Sequence, residues 1–153
     1  MKLYLVQHAE AKREDEDPTR PLTEKGWRDA RRVAQYGVER AGVRVRRVLH
    51  SGRLRAKQTA GVWGQHLGNT EVAQADGLDP TAAPTIWAER LGRETADLML
   101  VGHLPHLRRL ASRLLCGNDD REVVAFENGG VVCLQRDPEG HWSLRWALTP
   151  GIV

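Results

Sequence analysis

Residues 3–11 read L-Y-L-V-Q-H-A-E-A. The run from Lys2 to Gln7 is continuous and β-prone, which predicts a strand buried on both faces. It stops at Gln7-His8, with the carboxylate of Glu10 close behind. A strand buried on both faces needs a sheet covered by helices on each side. The fold therefore turns on whether strands and helices alternate along the rest of the chain.

They do as far as Cys116. The polar segment K-R-E-D-E-D-P-T-R-P at 12–21 reads as a loop. Thr23 then reads as a helix N-cap, with Trp27, Ala30, Ala34, Val38 and Ala41 at helical spacing and Gly42 ending the run. A strand at Arg47–His50 breaks at Ser51-Gly52, and a helix with apolar Leu54, Val62 and Leu67 closes at Gly68. Glu71–Gln74 is a third short strand, and Thr85–Leu91 a helix after the loop G-L-D-P-T-A-A-P. Asp97–Val101 is again a compact apolar strand, ending in Gly102-His103. Pro105 suits the first turn of a helix running to Cys116, where proline loses no hydrogen bond. Beyond that point Glu122–Phe126, Val131–Arg136 and Trp142–Ala147 read as strands, with D-P-E-G at 137–140 as a hairpin turn. The expected architecture is a three-layer α/β/α fold with a mostly parallel sheet and an antiparallel C-terminal hairpin.

Bulk properties agree. A chain of 153 residues with 41% apolar content predicts one globular domain, 1–153, with no need of disulfide or metal staples. Net charge is +3 and the pI about 9.2. The excess arginine is spread along the chain, as solvated helix faces or as a preference for anionic ligands. Few aromatics, no basic stripe and no recognised motif argue against nucleic acid. Cys116 and Cys133 sit in no metal-type or C-x-x-C pattern and read as reduced and packed, which predicts a cytoplasmic location. Leu3–Val6 is too short for a signal-peptide core or a membrane span.

In open α/β sheets the ligand crevice lies beyond the carboxyl ends of the strands. This chain places Gln7 and His8 at the end of the first strand, Ser51, Arg53 and Arg55 after the second, and His103 after the strand at 97–101. A single histidine at a strand end is more often structural. Two at one predicted rim beside an arginine suit phosphoryl chemistry, because a guanidinium fork fits paired phosphate oxygens and a neutral imidazole is a competent nucleophile. No G-x-x-x-x-G-K-[ST] is present, so a nucleotide P-loop is not indicated. His50, His66 and His141 lack such company and read as structural. His106 follows His103 at a spacing that suits a metal, but no third ligand accompanies them, so neither metal nor other cofactor is expected. Arg53, Arg31 and Arg32 read as surface charges.

Four blocks then resemble one family. L-Y-L-V-Q-H-A-E-A, R-P-L-T-E-K-G at 20–26, S-G-R-L-R-A-K-Q-T-A at 51–60 and L-V-G-H-L-P-H-L at 100–107, with W-A-L-T-P in the tail, resemble the histidine phosphatase superfamily in order and spacing. The similarity is greatest to its small SixA branch of phosphohistidine phosphatases. The resemblance implies a phosphoglycerate mutase-like fold. By position it makes His8 the phosphorylated histidine, Arg55 the arginine gripping the phosphoryl oxygens, and His103 the second pocket histidine, protonated. Arg20 matches a position near the pocket mouth, and Gln7 and Ser51 join the phosphate cradle. The implied substrate is a phosphorylated protein, such as a histidine-containing phosphotransfer domain. A broad small-molecule phosphatase and a weakened phospho-ligand binding module are the alternatives. The short chain lacks insertions that would enclose a sugar-sized ester, which argues against a mutase.

Two departures matter. The family's usual Arg-His-Gly is here Gln7-His8-Ala9. Charge-assisted hydrogen bonds contribute roughly 1.5–3 kcal/mol against about 1 for neutral ones, so Gln7 predicts slower turnover unless Arg20 or Arg53 supplies the cation. Ala9 is tolerable if its φ is negative. Glu10, Asp15, Asp17 and Asp79 are candidate general acids, none clearly placed. An imidazole leaving group, whose conjugate acid has a pKa near 6.5, eases that demand and favours a P–N substrate.

Overall fold

The computed structural model describes residues 1–153. Six strands form one sheet: β1 (Lys2–Gln7), β2 (Arg47–His50), β3 (Glu71–Gln74), β4 (Leu98–Gly102), β5 (Val131–Arg136) and β6 (Trp142–Leu148). Their order is β3-β2-β4-β1-β5-β6. The first four are parallel, whereas β5 runs antiparallel to β1 and β6 to β5. Four helices connect them: α1 (Glu24–Glu39), α2 (Leu54–Leu67), α3 (Pro84–Leu91) and α4 (His106–Cys116). The expected three-layer architecture is present.

Strand alternation divides the interior into two cores. Tyr4, Val6, Val48, Met99 and Val101 face α1 and α2, where they meet Val33, Ala34, Ala60 and the fully buried Trp63. Leu3, Leu5, Leu49, Leu98 and Leu100 face α3 and α4, against Trp87, Leu91, Leu107 and Leu110. The centre of β1 is thus buried on both faces. α1 starts where expected, because the Thr23 hydroxyl accepts from the Gly26 amide at 3.0 Å. Gly26 must lack a side chain, since a Cβ there would lie 2.1 Å from the Glu10 carbonyl oxygen. That close approach ties the start of α1 to the chain just after His8.

One expected strand is absent. Glu122–Phe126 is irregular, although Val124 and Phe126 pack into the α3–α4 core as their alternation suggested. Both flanks of β1 and of β4 are already paired, so this segment finds no ladder there and bonds locally instead. The Arg121 amide donates to Ser112 Oγ at 2.7 Å, and the Val123 amide to the Arg121 carbonyl at 3.1 Å. Pro105 occupies the N-cap of α4, one residue ahead of the first turn. No helix is long and apolar enough to cross a membrane.

Candidate active site

Register brings the strand ends level. Gln7 lies opposite Gly102 in β4, and His50 opposite Val101. The next residue of each strand is therefore His8, His103 or Ser51. The His8 amide donates to the Gly102 carbonyl at 3.0 Å, which fixes the two histidines side by side. Their ring centroids are 5.1 Å apart. Arg55 enters from the first turn of α2.

The His8 ring is oriented by its own backbone. Nδ1 lies 2.8 Å from the Ala9 carbonyl, and only a protonated Nδ1 can donate to it. Nε2 is then left with its lone pair, directed away from the backbone. Burial holds the His8 pKa down at about 4, with the nearby Arg55 and Arg20 pushing the same way and the Ala9 bond partly opposing them. The ring is neutral at physiological pH, as a nucleophile requires.

The expectation of a protonated His103 concerns the substrate-bound site, and in the ligand-free protein its surroundings act the other way. Burial, then His8, Arg55 and Arg53, push its pKa down to about 3, so the ligand-free imidazole is neutral rather than protonated. Nε2 lies 2.6 Å from Ser51 Oγ, which also accepts from the Arg53 amide at 3.3 Å. The Ser51 proton is thereby free for His103 Nε2, which leaves Nδ1–H as the donor of the ring. Nδ1 is buried and has no partner.

Arg55 is nine-tenths buried and its Nε has no acceptor. Burial, Arg20 and Arg53 all lower its pKa, which marks a cation destabilised by its surroundings. Arg20 and Arg53 thus both act at this rim. Arg20 is the one non-glycine residue in the left-handed region, at φ 49°, and its Nε donates to the Lys12 carbonyl at 2.9 Å. Arg53, read from sequence as a surface charge, is half exposed and paired to Asp79 at 3.1 Å, yet its field reaches His103 and Arg55. Gln7 is buried with Oε1 unpartnered. Ala9 avoids positive φ, so its methyl is tolerated.

The four candidate acids are engaged elsewhere. Glu10 Oε2 accepts from the Thr23 hydroxyl at 2.6 Å, Asp15 pairs with Arg13, Asp17 accepts from Thr19, and Asp79 holds Arg53. Outside the rim, His50 Nδ1 accepts from the Gly52 amide, His66 bonds the Val62 carbonyl, and His141 is exposed. His106 is fully buried with neither ring nitrogen partnered. No group of three His, Cys, Asp or Glu side chains is placed to hold a metal.

Three positioning residues escaped the sequence reading. Thr59 Oγ1 donates to the Arg55 carbonyl at 2.8 Å and accepts from the Ala9 amide at 3.0 Å, coupling α2 to the chain beside His8. Asn128 Nδ2 donates to the His8 carbonyl at 3.0 Å, and the Gly129 amide donates to the carbonyls of Gln7 and His8. Thr59 lies inside the S-G-R-L-R-A-K-Q-T-A block, which was a usable signal. Asn128 and Gly129 carry none.

The rim joins two neutral imidazoles and a guanidinium whose Nε has no partner in a positive field, an arrangement suited to an anion. The family model of the histidine phosphatase superfamily (branch 1) matches residues 3–85, and the chain belongs to that superfamily. Among solved structures, the protein histidine phosphatase SixA complexed with tungstate superposes with a TM-score of 0.85 at 24% identity, covering 99% of this chain and 98% of that one. The α-ribazole phosphatase of Shigella flexneri gives 0.81 at 16% identity, covering 98% and 97%. The phosphoglycerate mutase of Plasmodium falciparum gives 0.68 at 18%, covering 95% and 88%. The fold is therefore phosphoglycerate mutase-like. No curated protein matches the chain in sequence.

Proposed function

We propose that the protein is a phosphatase that hydrolyses phosphohistidine on a protein substrate through a phospho-His8 intermediate. The observation that carries this reading is the Nδ1–H bond from His8 to the Ala9 carbonyl, which leaves Nε2 with its lone pair on a ring that lies 5.1 Å from the His103 ring and within the field of Arg55. Nε2 attacks phosphorus in line, the P–N bond to the substrate imidazole breaks, and phospho-His8 forms as an imidazolium that keeps its Nδ1 proton. Water then attacks phosphorus, and His8 departs as the neutral imidazole it began as. Neither step needs a carboxylic acid at the leaving group, provided the substrate ring also carries its second proton. This chemistry agrees with the engagement of Glu10 and Asp79 in other contacts.

Arg55 supplies the charge for the phosphoryl oxygens, with Arg20 and Arg53 reinforcing the field. His103 contributes an N–H. In this scheme the bound dianion favours the protonated, donating form of His103, while the Nδ1–H bond to Ala9 keeps the His8 Nε2 lone pair for attack. Gln7 and Ser51 complete the cradle. The free cysteines Cys116 and Cys133 support a cytoplasmic setting, and histidine-containing phosphotransfer domains are the substrate class of this reading.

Rapid-quench labelling tests the scheme. With a phosphohistidine protein as donor, wild type traps label on His8 and His8→Ala traps none, with turnover reduced by at least about 10³-fold. Equal turnover by His8→Ala ends it. A second reading, a slowed phospho-ligand binding module, is favoured by the uncharged Gln7. Phosphate binding without turnover selects that reading. Faster hydrolysis of p-nitrophenyl phosphate or sugar phosphates than of the phosphoprotein selects a small-molecule phosphatase.

A further inference from the structure

A second cleft, of about 540 Å³, adjoins the phosphoryl rim. It opens between the start of α1, the segment at 126–128 and the 3₁₀ turn Pro150–Ile152. Gln7 and Glu10, which bracket His8 in the chain, both line it. Its chemistry is opposite to that of the rim. Glu10, Asp29 and Glu127 contribute three carboxylates against one cation, Lys25, whose Nζ is held by Asp29 at 2.7 Å. Two negative charges are left uncompensated. Gln7 is 9% exposed, and its Oε1 is a buried acceptor with no donor. Phe126 gives the cleft an apolar wall.

A buried carbonyl acceptor, two carboxylate charges without a cation and an aromatic ring together ask for a ligand with N–H donors, positive charge and an apolar stem. We infer that this cleft receives an arginine or lysine side chain flanking the phosphohistidine of the substrate protein. The inference rests on the phosphohistidine reading and names the sequence class of substrate. Its basis is the side-by-side placement of a positive cradle, formed by Arg20, Arg53 and Arg55, and a negative cleft. Such a pair recognises an anion and a cation presented together, and rejects a phosphorylated histidine in acidic surroundings.

The test uses peptides bearing a hydrolysis-resistant phosphonate analogue of phosphohistidine, with arginine or glutamine at each position within two residues on either side. Fluorescence anisotropy reads binding to the wild-type protein. At one or more positions arginine binds about fivefold to tenfold tighter, and the preference shrinks at high salt. Glu127→Gln reduces the ratio of arginine to glutamine affinity, and Glu127→Lys, which leaves the cleft with two carboxylates against two ammonium groups, abolishes it. Because each variant is scored as a ratio, general damage to the fold cancels. Equal affinities at every position, or a ratio untouched by Glu127→Lys, overturn the inference. Failure to hydrolyse the matching phosphohistidine peptides instead overturns the parent reading, and the affinity ratio still decides the cleft.

Discussion

At the end of the sheet away from His8, Arg47 pairs with Glu94 at 2.7 Å, while Arg136 donates to the carbonyls of Leu91 and Glu94 and lies over the Trp142 ring. At the His8 end, Arg55 is more deeply buried, yet its Nε meets nothing. Both ends hold arginine, half-buried and satisfied at one end, buried with an unpartnered Nε at the other. A cleft of about 940 Å³ lies at the satisfied end, along the β5–β6 hairpin and beside Arg136. Cavity size therefore misdirects here. Three of the buried polar side chains without a partner, Gln7, Arg55 and His103, gather at the rim, while Trp63 and His106 lie off it. A folded chain tolerates such groups where a ligand completes them.

The contrast can be broken by mutating each end. Arg55→Ala removes the cation that no protein group satisfies, and turnover of a phosphohistidine substrate falls about 10²–10³-fold, measured by phosphate release, while thermal stability stays level or rises. A large loss of stability with little loss of rate would make Arg55 structural and erase the difference. At the far end the signs reverse. Arg136→Ala strips donors from two carbonyls and lowers unfolding free energy by roughly 1–3 kcal/mol in denaturant titration, with turnover within about twofold of wild type.

His106 sharpens the comparison, because it shares the rim's lack of partners without facing His8's chemistry. Burial lowers its pKa to about 4, from 6.5. The folded state therefore binds fewer protons than the unfolded state between those values, so the stability this group allows is intact above pH 6.5 and declines as pH falls toward 4. His106→Leu removes that decline. The variant gains about 2 kcal/mol relative to wild type on going from pH 7 to pH 5. Parallel pH profiles for the two proteins would contradict a buried neutral imidazole. The smallest effect belongs to Gln7→Arg. If the rim lacks only charge, the change raises kcat by about tenfold, equivalent to about 1.4 kcal/mol. If the acidic cleft beside Gln7 captures the new guanidinium instead, kcat stays flat and the preference for basic flanking residues disappears.

Much of this was legible before any coordinates. Periodicity alone placed β1, α2 and β5 and the sheet-and-helix layering, because hydrophobic spacing reflects burial directly. The same logic failed at Glu122–Phe126, where alternating Val124 and Phe126 serve core packing without strand pairing. Alternation reports which side chains are buried, but a strand also needs a free neighbour. His8, Arg55 and His103 were legible from their places after strands and from family-like blocks. Asn128 and Gly129 were not, because each acts through one long-range bond to the chain around His8.

The amino-acid sequence by itself determined the order of elements, the two-sided burial of β1 and the residues that end each strand, since these follow from local propensity and hydrophobic spacing. Only the tertiary structure decided that β4 inserts between β1 and β2, which sets His103 against His8, and that His103 rests neutral beside Ser51. Charge state and long-range pairing depend on burial and on neighbours distant in the chain, and neither leaves a periodic trace along it.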